Sequence, residues 1–140
     1  MYSLRKKILF LSLLICLSFV FGSRGENNGD YCQITGIYSD VEFFPESGDV
    51  AGIEIIIVST NKGYYVIFQS AEGEFRVPFV VECNVIENKV EFTLPNNQGY
   101  SGKFQGEISQ TALSGSFEKG QTDYRGNKLI VLKRGNSFWQ

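Results

Sequence analysis

Residues 100–108 show the clearest pattern in the chain, a strict alternation of two kinds of position. One side carries Tyr100, Phe104 and Ile108 with glycines between them, and the other side carries only polar side chains. This period of two is typical of a β-strand with one face in a core and one face in water. Segments rich in valine, isoleucine, phenylalanine and tyrosine recur throughout the rest of the chain, and no stretch after Tyr31 keeps a helical period.

The pattern predicts eight strands joined by short links with turn residues. The predicted strands are Tyr31–Ser39, Val50–Thr60, Gly63–Ser70, Phe75–Asn84, Lys89–Leu94, Tyr100–Ser109, Ala112–Glu118 and Lys128–Arg134. Links this short allow only antiparallel neighbours, because a parallel pair needs a crossover of a dozen or more residues. The fold class is therefore all-β, an antiparallel up-and-down meander.

Strand glycines at positions 102, 106 and 115 favour bends that let the sheet curl until its edges meet. A closed barrel of roughly eight strands removes the edges without extra chain, and a two-sheet sandwich is the alternative. Pro78 lacks a backbone donor, so the strand that contains it is expected to be irregular there.

The N-terminus predicts export. Arg5 and two lysines precede an apolar run from Ile8 to Phe21, and small residues follow at Gly22 and Ser23, which is the layout of a secretory signal peptide. The apolar run is shorter than the ~20 residues of a membrane-spanning helix. We expect a signal peptide at residues 1–22, a polar leader at 23–30 and one barrel domain at 31–140, secreted or periplasmic and without a stable membrane anchor.

Composition narrows the possible partners and the redox state. The chain has 13 basic and 15 acidic residues; removing the three basic residues of the signal leaves 10 − 15, a net charge of −5. An acidic protein without a basic cluster is a poor partner for nucleic acid. Two cysteines, Cys32 and Cys83, remain after cleavage, and an oxidising compartment predicts a disulfide between them, with two buried thiols as the alternative.

Catalysis is not expected. The chain has no histidine, which removes the commonest general base and metal ligand, and no cofactor or metal motif is present. Glu54 and Glu82 each interrupt an apolar strand. They are either the acid and base of a carboxylate-based hydrolase or solvent-side residues of alternating strands, and alternation alone predicts the second.

Aromatic residues are abundant, and a few inward ones would suit a ligand cavity. Eight strands enclose a space that is either filled by side chains or holds one small molecule. We therefore predict a binding module for a small apolar ligand, lined by Tyr38, Tyr64, Phe68 and Phe79. Outward tyrosines in cross-strand pairs are the alternative for the two tyrosines.

Short motifs support the barrel by resemblance. Residues 34–38 (ITGIY) resemble the opening strand of lipocalin and avidin-type barrels, and residues 104–108 and 113–117 resemble their hydrophobic-x-Gly-x-hydrophobic strands. Tyr38 stands where those families usually carry tryptophan, so no binding residue carries over. Segments 47–54 and 69–73 are similar to parts of small secreted bacterial proteins of unassigned function, which implies export and no particular activity.

The middle strands are apolar on both sides, which predicts a second kind of partner. If Ile53, Ile55 and Ile57 face inward, five apolar residues lie together on the outer wall: Ile56, Val58, Tyr65, Ile67 and Val80. A contiguous surface of this kind usually marks an interface, here with a protein partner or a second copy of the chain in a homodimer. The alternative is that the leader or the loop from Glu42 to Asp49 covers this wall.

Overall fold

The computed structural model describes residues 32–97, 100–118 and 128–139 of the chain. The predicted signal peptide and polar leader, residues 1–22 and 23–30, lie outside the described residues. Within the described ranges every regular element is a β-strand, and none of these residues belongs to a helix that could cross a bilayer. The all-β prediction is confirmed.

Eight strands form a closed antiparallel barrel, and a ninth lies outside the ring. The strands are β1 (Gly36–Ser39), β2 (Glu42–Phe44), β3 (Asp49–Thr60), β4 (Gly63–Phe75), β5 (Phe79–Ile86), β6 (Lys89–Asn97), β7 (Tyr100–Ile108), β8 (Ala112–Phe117) and β9 (Ile130–Gly135). From β3 to β9 each strand pairs with the next along the chain, and β1 pairs with both β3 and β9. The structure is thus the predicted barrel and not the sandwich.

Two local predictions need correction, and both concern the same end of the barrel. Residues 71–73 look like a turn in the sequence, but they continue β4, and Gly73 pairs with Val50 of β3. The strand β2 was not predicted because three residues between turns show no period. The fourth strand was expected to begin at Phe75 and to be irregular at Pro78. In the structure Pro78 lies in the link between β4 and β5, and β5 begins only at Phe79.

The first strand closes the ring and then changes neighbours. Ser39 of β1 pairs with Lys133 of β9 on one side and with Glu54 of β3 on the other. Beyond it the chain crosses so close to Gly52 that a Cβ there would lie 2.6 Å from the Cα of Val41. Gly52 also has φ +135°, so only glycine fits at this crossing. After the crossing, β2 continues along β3 without β9 on its other side.

The barrel interior is a packed core of inward side chains from every strand of the ring. Phe68 of β4 and Phe117 of β8 come from opposite walls, and their ring centroids lie 6.1 Å apart in an edge-to-face arrangement. Tyr100 contacts both rings, with centroids 5.4 Å from Phe68 and 5.7 Å from Phe117. Aromatic rings therefore span the barrel from wall to wall at this level.

Two of the strand glycines make room for one aromatic ring. A Cβ at Gly106 would lie 2.7 Å from Phe104, and a Cβ at Gly115 would lie 2.4 Å from the same ring. The two glycines face each other across β7 and β8. Their role is packing and not the bend expected from the sequence, whereas Gly102, at φ +92°, lies where the β6–β7 register shifts and fits the predicted bend.

Candidate functional site

All four predicted ligand-lining residues lie on the inner wall. Tyr38 and Phe68 are fully buried in the core. Tyr64 and Phe79 are half-buried and pack against that core. The structure brings the four residues into one interior, but neighbouring rings also occupy it, and the binding of a small apolar ligand there stays a prediction.

The hydroxyl of Tyr38 is already occupied by the protein. It donates to the carbonyl of Ile34 at 3.0 Å and accepts from the guanidinium of Arg134, whose central carbon lies 4.9 Å from the centre of the Tyr38 ring. Burial raises the pKa of Tyr38, although the nearby Arg134 charge opposes that shift. Arg134 also donates to the backbone carbonyls of Gln33 and Thr35. The pair therefore fastens the segment before β1 to the end of β9.

The predicted disulfide is not formed, and this correction follows from where the two thiols lie. Cys32 precedes β1, and its sulfur donates to the carbonyl of Ile108 at 3.4 Å. Cys83 lies within β5, and its sulfur contacts the carbonyl of Asn84 at 3.7 Å. Both are free thiols. Burial raises the pKa of Cys83 to about 11, so this thiol stays protonated and unreactive at neutral pH.

The two candidate carboxylates do not meet in one cleft. Both face outward, since Glu54 pairs with Gln69 and Glu82 pairs with Tyr65. The two positions are four residues apart along the strand direction and two strand spacings apart across the sheet. Their Cα atoms are therefore separated by roughly 16 Å. Glu54 is covered by the C-terminal segment, whereas Glu82 is exposed. This arrangement gives no support to a shared acid and base.

Glu54 holds the C-terminal segment against the barrel. Its carboxylate accepts the Ser137 hydroxyl at 2.7 Å and the Phe138 backbone N–H at 2.9 Å, and only 3% of the residue is exposed. Hydrogen bonds to a charged acceptor are stronger than neutral ones.

Across the part of the chain that the structure describes, no group of three or more acidic or cysteine side chains could hold a metal ion.

The outer wall is apolar on one half of the barrel. Ile37, Ile56, Ile67 and Val80 form one continuous row across β1, β3, β4 and β5. Val58 and Tyr65 form the next row toward the β3–β4 turn. The register confirms that the five predicted residues, Ile56, Val58, Tyr65, Ile67 and Val80, share one surface, and it adds Ile37. We call the six residues the apolar wall.

The opposite half of the outer wall is polar at equivalent positions. There the row across β5, β6, β7 and β8 reads Asn84, Glu91, Gln105 and Ser116. Glu91 accepts from Gln105 at 3.0 Å and pairs with Lys103 at 2.8 Å, which lowers the pKa of Glu91 through the lysine contact. These two rows of the outer surface therefore differ in polarity, although Ile86 of β5 and Val131 of β9 are exposed apolar residues outside the apolar wall.

Three aromatic residues extend the apolar wall, and the sequence did not point to them. Trp139 contacts Phe75 with ring centroids 4.1 Å apart and ring planes tilted by 44°, and the ring centroid of Phe138 lies 5.3 Å from that of Phe75. The Trp139 indole N–H donates to Gln69 at 3.3 Å, two residues along β4 from Ile67. Trp139 remains 60% exposed. We call Phe75, Phe138 and Trp139 the aromatic cluster. Contacts between segments far apart in sequence bring these residues together. The single tryptophan of the chain was the one signal that the sequence offered.

Comparison with known proteins adds no relative. No protein-family model, no curated protein and no solved structure matches this chain. The resemblance to lipocalin and avidin-type barrels therefore stays a prediction from short motifs. The functional argument depends on the geometry of the chain itself.

Proposed function

We propose that this chain is an exported protein-recognition module whose partner docks on the apolar wall and the aromatic cluster. The single observation that carries this proposal is the contrast between two outer rows, one apolar from Ile37 of β1 to Val80 of β5 and one polar from Asn84 of β5 to Ser116 of β8. A folding requirement alone does not explain an apolar row that faces away from the core. No catalytic step is part of the proposal.

Several features support recognition on this surface. Contiguous apolar patches of a few hundred Å² on small soluble proteins usually mark interaction sites. Aromatic side chains with exposed faces are enriched among the residues that dominate binding energy, and Trp139 is such a side chain. The C-terminal segment covers only the part of the wall around Glu54, so Val80 remains 66% exposed. The signal-like N-terminus supports a partner outside the cytoplasm.

Two exposed valines allow a matched test. Val80 lies on the apolar wall, and Val131 of β9 is 50% exposed outside that wall, where it pairs with Ser114 of β8. A photo-crosslinking residue is placed at position 80 or at position 131 in the full chain, and the protein is irradiated in cells that export it. We expect one adduct of defined mass from position 80 and none from position 131. Equal adducts from both positions, or none from position 80, contradict the proposal.

Charge variants then measure the contact directly. We expect Val80→Lys to weaken binding to the cross-linked partner by about tenfold or more, because a buried ammonium must lose its water. Val131→Lys should leave the affinity unchanged. Both variants should unfold at the temperature of the parent protein, since each side chain is exposed. An adduct at twice the chain's own mass would identify a second copy as the partner.

A further inference from the structure

One end of the barrel carries a small three-stranded extension. β3 pairs with β4 as far as Gly73, whereas β5 pairs with β4 only from Tyr64 to Phe68. β2 runs along the start of β3, and the Phe44–Gly48 turn is closed by a 2.8 Å backbone hydrogen bond. The extension therefore consists of β2, the start of β3 and the end of β4. It projects beyond the closed ring.

β2 is a free edge of this extension. Among the described residues it pairs with β3 alone, and all its side chains are exposed. Phe43 is 53% exposed and Phe44 is 45% exposed, and strand alternation puts them on opposite faces. Native edge strands usually avoid large exposed apolar residues, because such an edge invites another strand to pair.

The extension is strongly acidic. Residues 42–52 and 71–76 contain five carboxylates and one basic residue. The carboxylates are Glu42, Glu46, Asp49, Glu72 and Glu74. The basic residue, Arg76, is paired with Glu72 at 3.1 Å, so four carboxylates have no basic side chain within the extension. We call this part of the molecule the acidic lobe.

We propose that the β2 edge accepts an extended, lysine- or arginine-rich segment of a protein partner as an additional strand. This goes beyond the proposed function, because it uses the free edge of β2 and the charges around it, whereas the apolar wall lies on β1, β3, β4 and β5; the two surfaces adjoin at Phe75. Added strands gain affinity from backbone hydrogen bonds and gain specificity from alternate side chains. Here one apolar ring lies on each face of the edge, and the carboxylates attract basic side chains and speed their approach.

The same charges argue against a second copy of this chain at the edge. Two acidic lobes side by side would repel each other, because like charges across an interface are costly. Charge on an edge strand is also a common means of preventing self-association. The charge of the acidic lobe therefore disfavours a second copy of this chain at the β2 edge and favours a basic strand.

Defined peptides test strand addition without knowledge of the natural partner. The probe is a fluorescently labelled peptide that alternates lysine and valine, and binding to the full mature protein is measured by anisotropy. Matched probes replace lysine by glutamate, or carry N-methyl groups on alternate backbone nitrogens along one edge or the other. The N-methylated peptides keep the charge and side chains but lose the donors on one edge.

We expect the lysine peptide to bind and the glutamate peptide not to bind. One of the two N-methylated peptides should bind about tenfold more weakly than the parent, because it loses the few backbone donors that can face the three-residue strand β2. If both N-methylated peptides bind as well as the parent, the attraction is charge alone and strand addition is wrong. If the lysine peptide does not bind, the proposal is also wrong.

Paired variants locate the site. E42Q/E46Q should weaken the lysine peptide several-fold, and E82Q/E87Q, which removes two exposed carboxylates elsewhere, should not. Unfolding temperatures confirm that both variants are folded. Equal effects of the two pairs would place the peptide outside the acidic lobe and overturn the proposal. Val80→Lys should leave peptide binding unchanged, so failure here is distinguishable from failure of the apolar wall.

Discussion

At the scale of single residues, the core of the barrel is packed so closely that some positions have no room for one added methyl group. A Cβ at Gly115 would lie 2.4 Å from Phe104, 2.5 Å from the carbonyl oxygen of Gln105 and 2.7 Å from the Cα of Gly106. Two of these contacts are backbone atoms, which cannot move aside as a flexible side chain can. Interiors packed to crystal-like density resist even one added carbon.

We therefore expect Gly115→Ala to destabilise the protein by about 1–3 kcal/mol through overpacking. Gly135→Ala is the control, because a Cβ there meets no atom within 4 Å, and its effect should stay within about 0.5 kcal/mol. Urea unfolding followed by circular dichroism measures both. Equal stability of the two variants would mean that Phe104 does not occupy the space between the glycines.

At the scale of elements, the sequence predicted the strands well where alternation runs long. The strands that became β6, β7 and β8 match within a few residues, because inward and outward positions differ clearly along them; β3 also matches, although it is apolar on both faces. Residues 71–73 misled because alanine, glutamate and glycine are typical of a turn, and only pairing with β3 keeps them extended. Local composition carries no information about such a partner.

The apolar wall and the aromatic cluster differ in the same respect, in how far the local sequence predicts them. Five residues of the apolar wall could be predicted from the positions they take on neighbouring strands, whereas Ile37 joins the wall only through the β1–β3 pairing that closes the ring. The aromatic cluster could not, because Glu54 and the C-terminal segment meet across 83 residues, from Glu54 to Ser137. Glu54 looked like a solvent-side residue, and its outward direction was right, but its burial depends on a segment that shows no strand period.

We expect Glu54→Gln to loosen the C-terminal segment, because the amide is uncharged and has one acceptor oxygen where the carboxylate uses both oxygens, one for Ser137 and one for Phe138. Removing these charge-assisted bonds should cost about 1–3 kcal/mol. Trp139 is the only tryptophan in the chain, so its fluorescence reports the segment directly. Acrylamide should quench it more strongly in the variant. Glu82→Gln is the control, because Glu82 is exposed and makes no hydrogen bond to the described residues 136–139, and it should leave quenching unchanged. Equal quenching of both variants would contradict the anchoring role of Glu54.

At the scale of the whole molecule, stability comes from ring closure and a filled interior. β1 joins β3 to β9, and Arg134 fastens the chain just before β1, so the two ends of the described fold meet in one place. The aromatic layer joins opposite walls through Phe68 and Phe117. A covalent tie between Cys32 and Cys83 is not part of this arrangement.

Unfolding of the mature protein should therefore be insensitive to reductant. A disulfide closing a loop of this length would contribute about 4 kcal/mol, and its reduction would lower the unfolding temperature by about 10 °C or more. We expect no such shift, and Cys32→Ser should unfold within a few degrees of the parent under oxidising conditions. Alkylation in denaturant without reductant, followed by intact mass, should add two labels. A protein that takes no label and loses stability on reduction would show that export joins the two thiols and that the barrel moves to allow it. Burial raises the pKa of Cys83 only in the folded protein, so such a bond would have to form before the barrel closes.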